Sequence, residues 1–211
     1  MARDLNAMLR GRTAEQQKVI KYFMSNGGCL SKVMTDSEYD EMVANKVASL
    51  NIKNRALAHL GIDEDQVREV EPVHFENWKF DTPNSLAKPG KDNLWRSTSY
   101  QITWIFFSAE QVYIYQYTFN MNEDGKKEQT EEYFYKDITN FSATSESVEK
   151  EDVLVKTNCK GENVYDRRII ETNVFKIVVP GDKLECSMKK NNYTDSAIQG
   201  MKAKLREKKN A

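Results

Sequence analysis

Residues 100–107 read YQITWIFF and residues 112–120 read VYIYQYTFN, with Ser108-Ala109-Glu110-Gln111 between them. β-Branched and aromatic side chains fill both runs, and these suit the pleated surface of a strand. In the second run Tyr113, Tyr115, Tyr117 and Phe119 fall on one face, while Val112 and Ile114 lead the other. That is the period of two expected of a strand. With so short a break between them, the two runs read as an antiparallel pair.

Toward the C-terminus, Asn122-Glu123-Asp124-Gly125 is a tight-turn signal, because Asp-Gly accepts the positive φ angles that such turns require. Further strands are expected at about Glu128–Lys136, Ile138–Ser145, Asp152–Asn158, Arg168–Val179 and Lys183–Met188. Lys160-Gly161-Glu162-Asn163 and Pro180-Gly181-Asp182 supply turns between the later ones. Seven strands joined by hairpin-length connections predict an antiparallel arrangement. The ending changes period. Thr194-Asp195 reads as an N-cap, and Ala197, Ile198, Met201 and Leu205 form an apolar stripe opposite Lys202, Arg206 and Lys209. A lysine-rich last turn also suits the helix dipole. This helix is expected to cap the open end of the β region.

Toward the N-terminus the period is helical. Thr13 with Gln16 and Thr35 with Glu38 make capping-box patterns, in which the two side chains satisfy free N–H groups at a helix start. Val19, Ile20, Phe23 and Met24 form one apolar stripe, closed by Asn26-Gly27-Gly28. Tyr39, Met42, Val43, Val47 and Leu50 form a second, and Ile52, Ala56 and Leu60 a third that ends at Gly61. Asp63 to Val70 is expected to add a turn or two before Pro72. Thr82-Pro83-Asn84-Ser85 and Lys88-Pro89-Gly90-Lys91 read as irregular chain. The expected fold is therefore α+β: a helical region over 1–78, a linker over 79–93, and over 94–211 a seven-stranded antiparallel β domain with its C-terminal helix.

Composition narrows the function classes. Charged residues make up 30% of the 211 and the net charge is −1, so no overall field draws the chain to nucleic acid or anionic lipid. Only the final stretch is basic: residues 189–211 hold seven Lys or Arg against two Asp or Glu. Cys29, Cys159 and Cys186 are odd in number and far apart, which favours reduced thiols and a cytoplasmic location. The first residues show no signal-peptide core, and the most apolar run, Ile102 to Phe107, is too short to cross a bilayer.

The chain holds two histidines, His59 and His74, neither with a Cys or His partner at metal-ligand spacing. Asp63-Glu64-Asp65 does not continue as a calcium loop, since Arg68 stands where glycine is needed and His74 where glutamate is. Lys88-Pro89-Gly90-Lys91 lacks the earlier glycine and the hydroxyl residue of a phosphate loop. No metal or cofactor site is expected. An enzyme using Cys29 or a histidine, for example as a Cys–His nucleophile pair, is the catalytic alternative.

Seven strands and one closing helix resemble the pleckstrin-homology superfold. Gln111 to Tyr117 is similar to the second strand of bacterial pleckstrin-homology-like and GRAM-like domains. Glu132-Tyr133-Phe134-Tyr135-Lys136-Asp137-Ile138 and the residues after it resemble their aromatic strand with a polar-Ile motif. The resemblance covers Leu94 to Lys209 and implies a binding scaffold for lipids, peptides or other domains. Members that bind phosphoinositides carry several Lys and Arg around the first hairpin, because phosphate needs multiple charged donors. Ser108 to Gln111, taken as that hairpin, has none, and Lys126-Lys127 is the nearest substitute.

The expectation is a non-catalytic binding or regulatory module for a protein or small ligand, without nucleic acid. Tyr113, Tyr115, Tyr117, Lys126 and Lys127 are its candidate surface. The ordinary alternative packs the tyrosines against the helical region. A second alternative is contact with anionic lipid through Lys126, Lys127 and the basic final helix.

Overall fold

The computed structural model describes residues 5–25, 33–68, 70–157 and 163–210. Four helices come first: α1 (Leu5–Leu9), α2 (Ala14–Met24), α3 (Asp36–Leu50) and α4 (Ile52–Leu60), followed by a 3-10 turn at Glu64–Val67. Among the described residues nine strands follow: β1 (Val70–Lys79), β2 (Ala87–Pro89), β3 (Trp95–Ser97), β4 (Ser99–Phe107), β5 (Gln111–Asn120), β6 (Lys126–Phe134), β7 (Asn140–Thr157), β8 (Asn163–Val179) and β9 (Asp182–Met188). Helix α5 (Asn192–Lys209) ends the chain. Among the described residues, no helix is long and apolar enough to cross a membrane.

The helix starts follow their capping boxes. Thr13 and Thr35 each accept an N–H from the third residue of their helix, and Gln16 and Glu38 reciprocate. Asn51, at φ 45°, ends α3 in the left-handed region and lets α4 begin at the next residue. The last helix starts earlier than expected. Its N-cap is Asn191, and Thr194 is the third helical residue, returning a bond to the Asn191 N–H.

The expected antiparallel pairing and terminal helix are present, but the strands divide differently. They form a four-stranded sheet β1-β4-β5-β6, a three-stranded sheet β7-β8-β9 and a separate β2-β3 hairpin. Three sequence readings are corrected. Val70–Lys79, read as the end of the helical region, is a strand that pairs with β4 from Val73↔Ile105 to Lys79↔Ser99. Pro72 sits where the register shifts between Val70 and Val73, so its missing N–H costs no ladder bond. Ala87–Pro89, read as linker, forms a small hairpin with Trp95–Ser97 at the start of the expected β domain. The strands expected at Ile138–Ser145 and Asp152–Asn158 are one, β7, with an irregularity between Lys150 and Val153 that interrupts the alternation and mimics a break.

Two cores share the four-stranded sheet. On its outer face Val19, Phe23, Tyr39, Val43, Ile52 and Ala56 of the helices pack on Tyr100, Ile102, Phe106, Tyr115, Tyr117 and Phe119. On its inner face Phe75, Ile105, Phe107, Val112 and Ile114 meet Phe141, Phe175, Ile177 and Leu184 of the second sheet, with Ile198, Met201 and Leu205 of α5. Strands β4 and β5 are thus covered on both sides, which explains why YQITWIFF is apolar at nearly every position. A smaller cluster of Phe80, Ala87 and Ile170 lies under the β2-β3 hairpin.

The β7-β8 hairpin is longer than either core. Strands of 18 and 17 residues span roughly 55 Å at about 3.3 Å per residue. Its inner end supplies Phe141 and Phe175, while at its far end Tyr165 packs on the helical core and Asn163 Nδ2 donates to the Met24 carbonyl at 2.8 Å. Midway, Lys150 Nζ reaches Ser85 Oγ at 2.8 Å.

Phe175 is fully buried between Phe75 and Phe141, its ring 4.8 and 5.8 Å from theirs. Phe175→Ala leaves a cavity between the two sheets and should cost about 3–5 kcal/mol of stability, read as a lower midpoint in urea denaturation.

Candidate functional site

The aromatic face of β5 lies directly beneath the helices. Tyr115 and Tyr117 are buried, and Tyr113 is half-buried with its hydroxyl donating to Gln111 Oε1 at 2.8 Å. Strand β6 sets Glu128 beside them, since Tyr117 pairs with Glu128 and Tyr115 with Thr130. Helix α4 projects Arg55 onto the same spot. Its guanidinium donates from Nη2 to Glu128 Oε1 at 2.7 Å, and from Nε to Glu128 Oε2 and Tyr115 Oη at 3.0 Å each. The Tyr115 hydroxyl donates to Glu128 Oε2 at 2.6 Å.

Three further groups close this cluster. Arg55 lies 5.2 Å from the Tyr117 ring centre, Lys126 Nζ is 2.9 Å from Glu128 Oε1, and His59 Nε2 is 3.3 Å from Glu128 Oε2. The Arg55 bonds hold the Glu128 carboxyl down at a pKa of about 2, against the opposing pull of burial. Burial, and then the bond to Glu128, raise the Tyr115 hydroxyl. Both effects fit a structural clamp, with the acid kept charged and the phenol kept neutral.

A second cluster lies where α3 crosses the β1 edge of the sheet. Tyr22, Tyr39, Trp78 and Tyr100 form a continuous column, with ring centres 4.9, 5.5 and 4.9 Å apart. The buried Tyr39 hydroxyl donates to the Ser97 carbonyl at 2.8 Å. Beside it Arg96, with its side chain 4% exposed, donates to both oxygens of Asp40 and both of Asp92, at 2.7 to 2.9 Å. Gly90 makes room for it: a Cβ there would stand 2.2 Å from Arg96 Nη1. The Asp92 carboxyl is accordingly far below its ordinary range, chiefly through Arg96.

Next to this column a cleft of about 520 Å³ opens between α3 and the sheet. Val43, Ala44 and Val47 form one wall, Trp78 and Tyr100 the floor, and Leu94, 64% exposed, stands at the lip. The charges around it are paired with each other. Asp40 holds Arg96, and Lys189 Nζ lies 3.1 Å from Glu76 Oε1 and 5.4 Å from the Tyr100 ring centre.

The structure therefore gathers Tyr115, Tyr117 and Lys126 around Glu128 under α4, while Lys127 remains exposed on β6. The basic groups of the lipid alternative are not brought together. Lys126 and Lys127 begin β6, whereas Lys208 of α5 lies 5.9 Å from the ring of Tyr135, just past the other end of that strand. Cys29 and Cys159 lie outside the described residues. Cys186 is buried in the inner core, and burial pushes its thiol up to about 12. His74 stacks on Trp104 at 4.9 Å, and His59 is exposed at the rim of the clamp. Among the described residues no group of three His, Cys, Asp or Glu side chains could hold a metal ion.

Sequence reasoning missed Arg55, Glu128, Asp40, Arg96 and Trp78. The one available hint was Arg55 with His59 four residues on, which places two basic groups on one helix face. A comparison with protein-family models finds no match, and comparisons with curated proteins and with solved structures find no significant match either.

Removing the Glu128 charge tests the clamp. Its folded pKa of about 2 is depressed from 4.5. Its contribution is therefore complete above the unfolded value and lost as pH falls from 4.5 toward 2. Glu128→Gln should lower stability by about 1–3 kcal/mol at neutral pH, and urea denaturation at a series of pH values should show the gap from the parent narrowing only in that acid window.

Proposed function

We propose that this chain is a non-catalytic binding module of pleckstrin-like layout, which takes an apolar side chain of a partner protein into the cleft between α3 and the Trp78–Tyr100 floor. The layout reading is supported by strand order. A four-stranded meander, a three-stranded meander and a closing helix follow one another, with β2-β3 inserted in the first connection. In that layout the first connection is residues 80–98 and not Ser108 to Gln111. It does carry Lys88, Lys91 and Arg96; Lys91 is exposed, but the other two are engaged. Lys88 Nζ donates to the Tyr22 carbonyl at 3.1 Å and lies over the Tyr22 ring, and Arg96 is closed by two carboxylates. A phosphate ligand at that place would meet Lys91 alone unless it displaced those partners, whereas phosphate needs several charged donors.

The observation that carries the binding reading is the cleft itself. Its volume is of the order of a ligand site, its walls are aliphatic and its floor is aromatic. Its charged groups are already matched as Glu76–Lys189 and Asp40–Arg96. A charged ligand would break those pairs, whereas an apolar group would cover Trp78, Tyr100 and Leu94 without disturbing them. The cleft is open and Leu94 stands at its lip, which suits a side chain presented from another protein's surface, the usual form of a buried anchor. On the side of the non-catalytic reading, Cys186 is sealed from solvent and His74 is stacked in the fold, while Cys29, the nucleophile of the catalytic alternative, lies outside the described residues.

N-acetyl-phenylalanine amide serves as a probe of the anchor. At millimolar concentration it should shift the indole N–H resonance of Trp78, identified by its loss in Trp78→Phe, and leave those of Trp95 and Trp104 in place. Ala44 lies exposed on the cleft wall, so Ala44→Trp should fill the site, abolish the shift and leave stability within about 0.5 kcal/mol. A parent chain whose Trp78 resonance ignores the probe would overturn this reading.

A further inference from the structure

Strand β6 is the last strand of the four-stranded sheet, and its outer edge has no strand partner among the described residues. Lys126, Lys127, Thr130, Glu132 and Phe134 along it are exposed. An uncovered edge offers a row of backbone donors and acceptors to another strand. The side chains beside that row decide which strand fits.

We propose that this edge pairs antiparallel with the same edge of a second copy of the chain, with Gln129 opposite Gln129 on the two-fold axis. Two constraints select that register. Along one edge, alternate residues point their N–H and C=O outward, and directly opposed residues in an antiparallel pair must both point outward or both inward. A two-fold axis must therefore pass through a residue opposed to itself, not between two residues. Five residues, Glu128 to Glu132, lie in the middle of β6. With the axis at Glu128, Glu131 or Glu132, a glutamate faces its own copy. With the axis at Thr130, Glu128 faces Glu132 twice. With the axis at Gln129, Lys126 faces Glu132, Lys127 faces Glu131, Glu128 faces Thr130 and Gln faces Gln. That register has four opposite-charge pairs in the dimer and no like-charge pair, and the Lys127–Glu131 pairs carry it, because Lys126 is already paired with Glu128. Opposite charges directly across an antiparallel pair stabilise it and like charges oppose it.

The same residues explain why the edge does not recruit strands at random. Charged side chains protect an edge from indiscriminate pairing, and here their order, Lys-Lys-Glu-Gln-Thr-Glu-Glu over 126–132, complements itself in one register. The two charge pairs lie on opposite faces of the joined sheet, because side chains alternate along the strand.

The test uses Lys127 and Glu131, which stand clear of the Arg55 clamp. Sedimentation of the full chain should show a monomer–dimer equilibrium that weakens as salt is raised. Lys127→Glu and Glu131→Lys each place like charges opposite one another twice, and should weaken self-association about tenfold or more. Mixing the two single variants should restore the dimer as a heterodimer, and the double variant K127E/E131K should self-associate like the parent. Circular dichroism checks that every variant is folded. A parent chain monomeric up to about 1 mM overturns the proposal. So does a dimer indifferent to both single substitutions, or folded single variants that fail to pair with each other.

Discussion

Strands β4 and β5 have almost no side chain left for water, and the rest of the molecule is arranged around that constraint. Tyr100, Ile102, Phe106, Tyr115, Tyr117 and Phe119 need a cover on one face, while Ile105, Phe107, Val112 and Ile114 need one on the other. The N-terminal helices answer the first requirement, and the second sheet with α5 answers the other. Neither cover has a core without the shared sheet, because burial of apolar area is the main favourable contribution to either layer. The helical region is therefore a layer of the fold. Its place on the sheet is fixed by polar groups of high geometric demand: Arg55 on Glu128 and Tyr115 at one end, Arg96 between Asp40 and Asp92 at the other.

These two arginines differ in what they contribute. Arg55 is partly open to solvent and joins α4 to an edge strand, so its bonds orient the helix as well as stabilise it. Arg96 is enclosed, and its desolvation is offset only because four carboxylate oxygens and the Leu94 carbonyl surround it. It fixes the β2-β3 hairpin against α3, and the cleft floored by Trp78 and Tyr100 is the space left beside that joint. A binding function for the cleft would use a wall that the fold needs in any case.

Much of the secondary structure was legible because its signals are local. Thr13 and Thr35 announce α2 and α3, Asp124-Gly125 announces the β5-β6 turn, and the alternation of residues 112–120 is unbroken. Strand β1 was hidden because Pro72 interrupts it and its outer residues, His74, Glu76 and Trp78, mix polar and apolar character. Strand β7 read as two because its register irregularity breaks the period. The clamp residues were invisible for another reason. Arg55 and Glu128 are 73 residues apart, and Arg96 and Asp40 are 56 apart. No periodicity links such partners; only the docking of one layer on another brings them together.

The contact between Glu76 of β1 and Lys189, just past β9, also bears on how the chain is made. The Lys189 N–H donates to the Glu76 carbonyl at 3.1 Å, and Lys189 Nζ reaches the Glu76 carboxylate across 113 residues of sequence. During synthesis α1 to α4 and the four-stranded sheet are complete once Phe134 has emerged. At that moment Phe75, Ile105, Phe107, Val112 and Ile114 have one side of their sheet bare. The strands that cover it take several more seconds at about 5–20 residues per second. One face of the central sheet in a nascent chain therefore stays uncovered until β7 to β9 and α5 have been made.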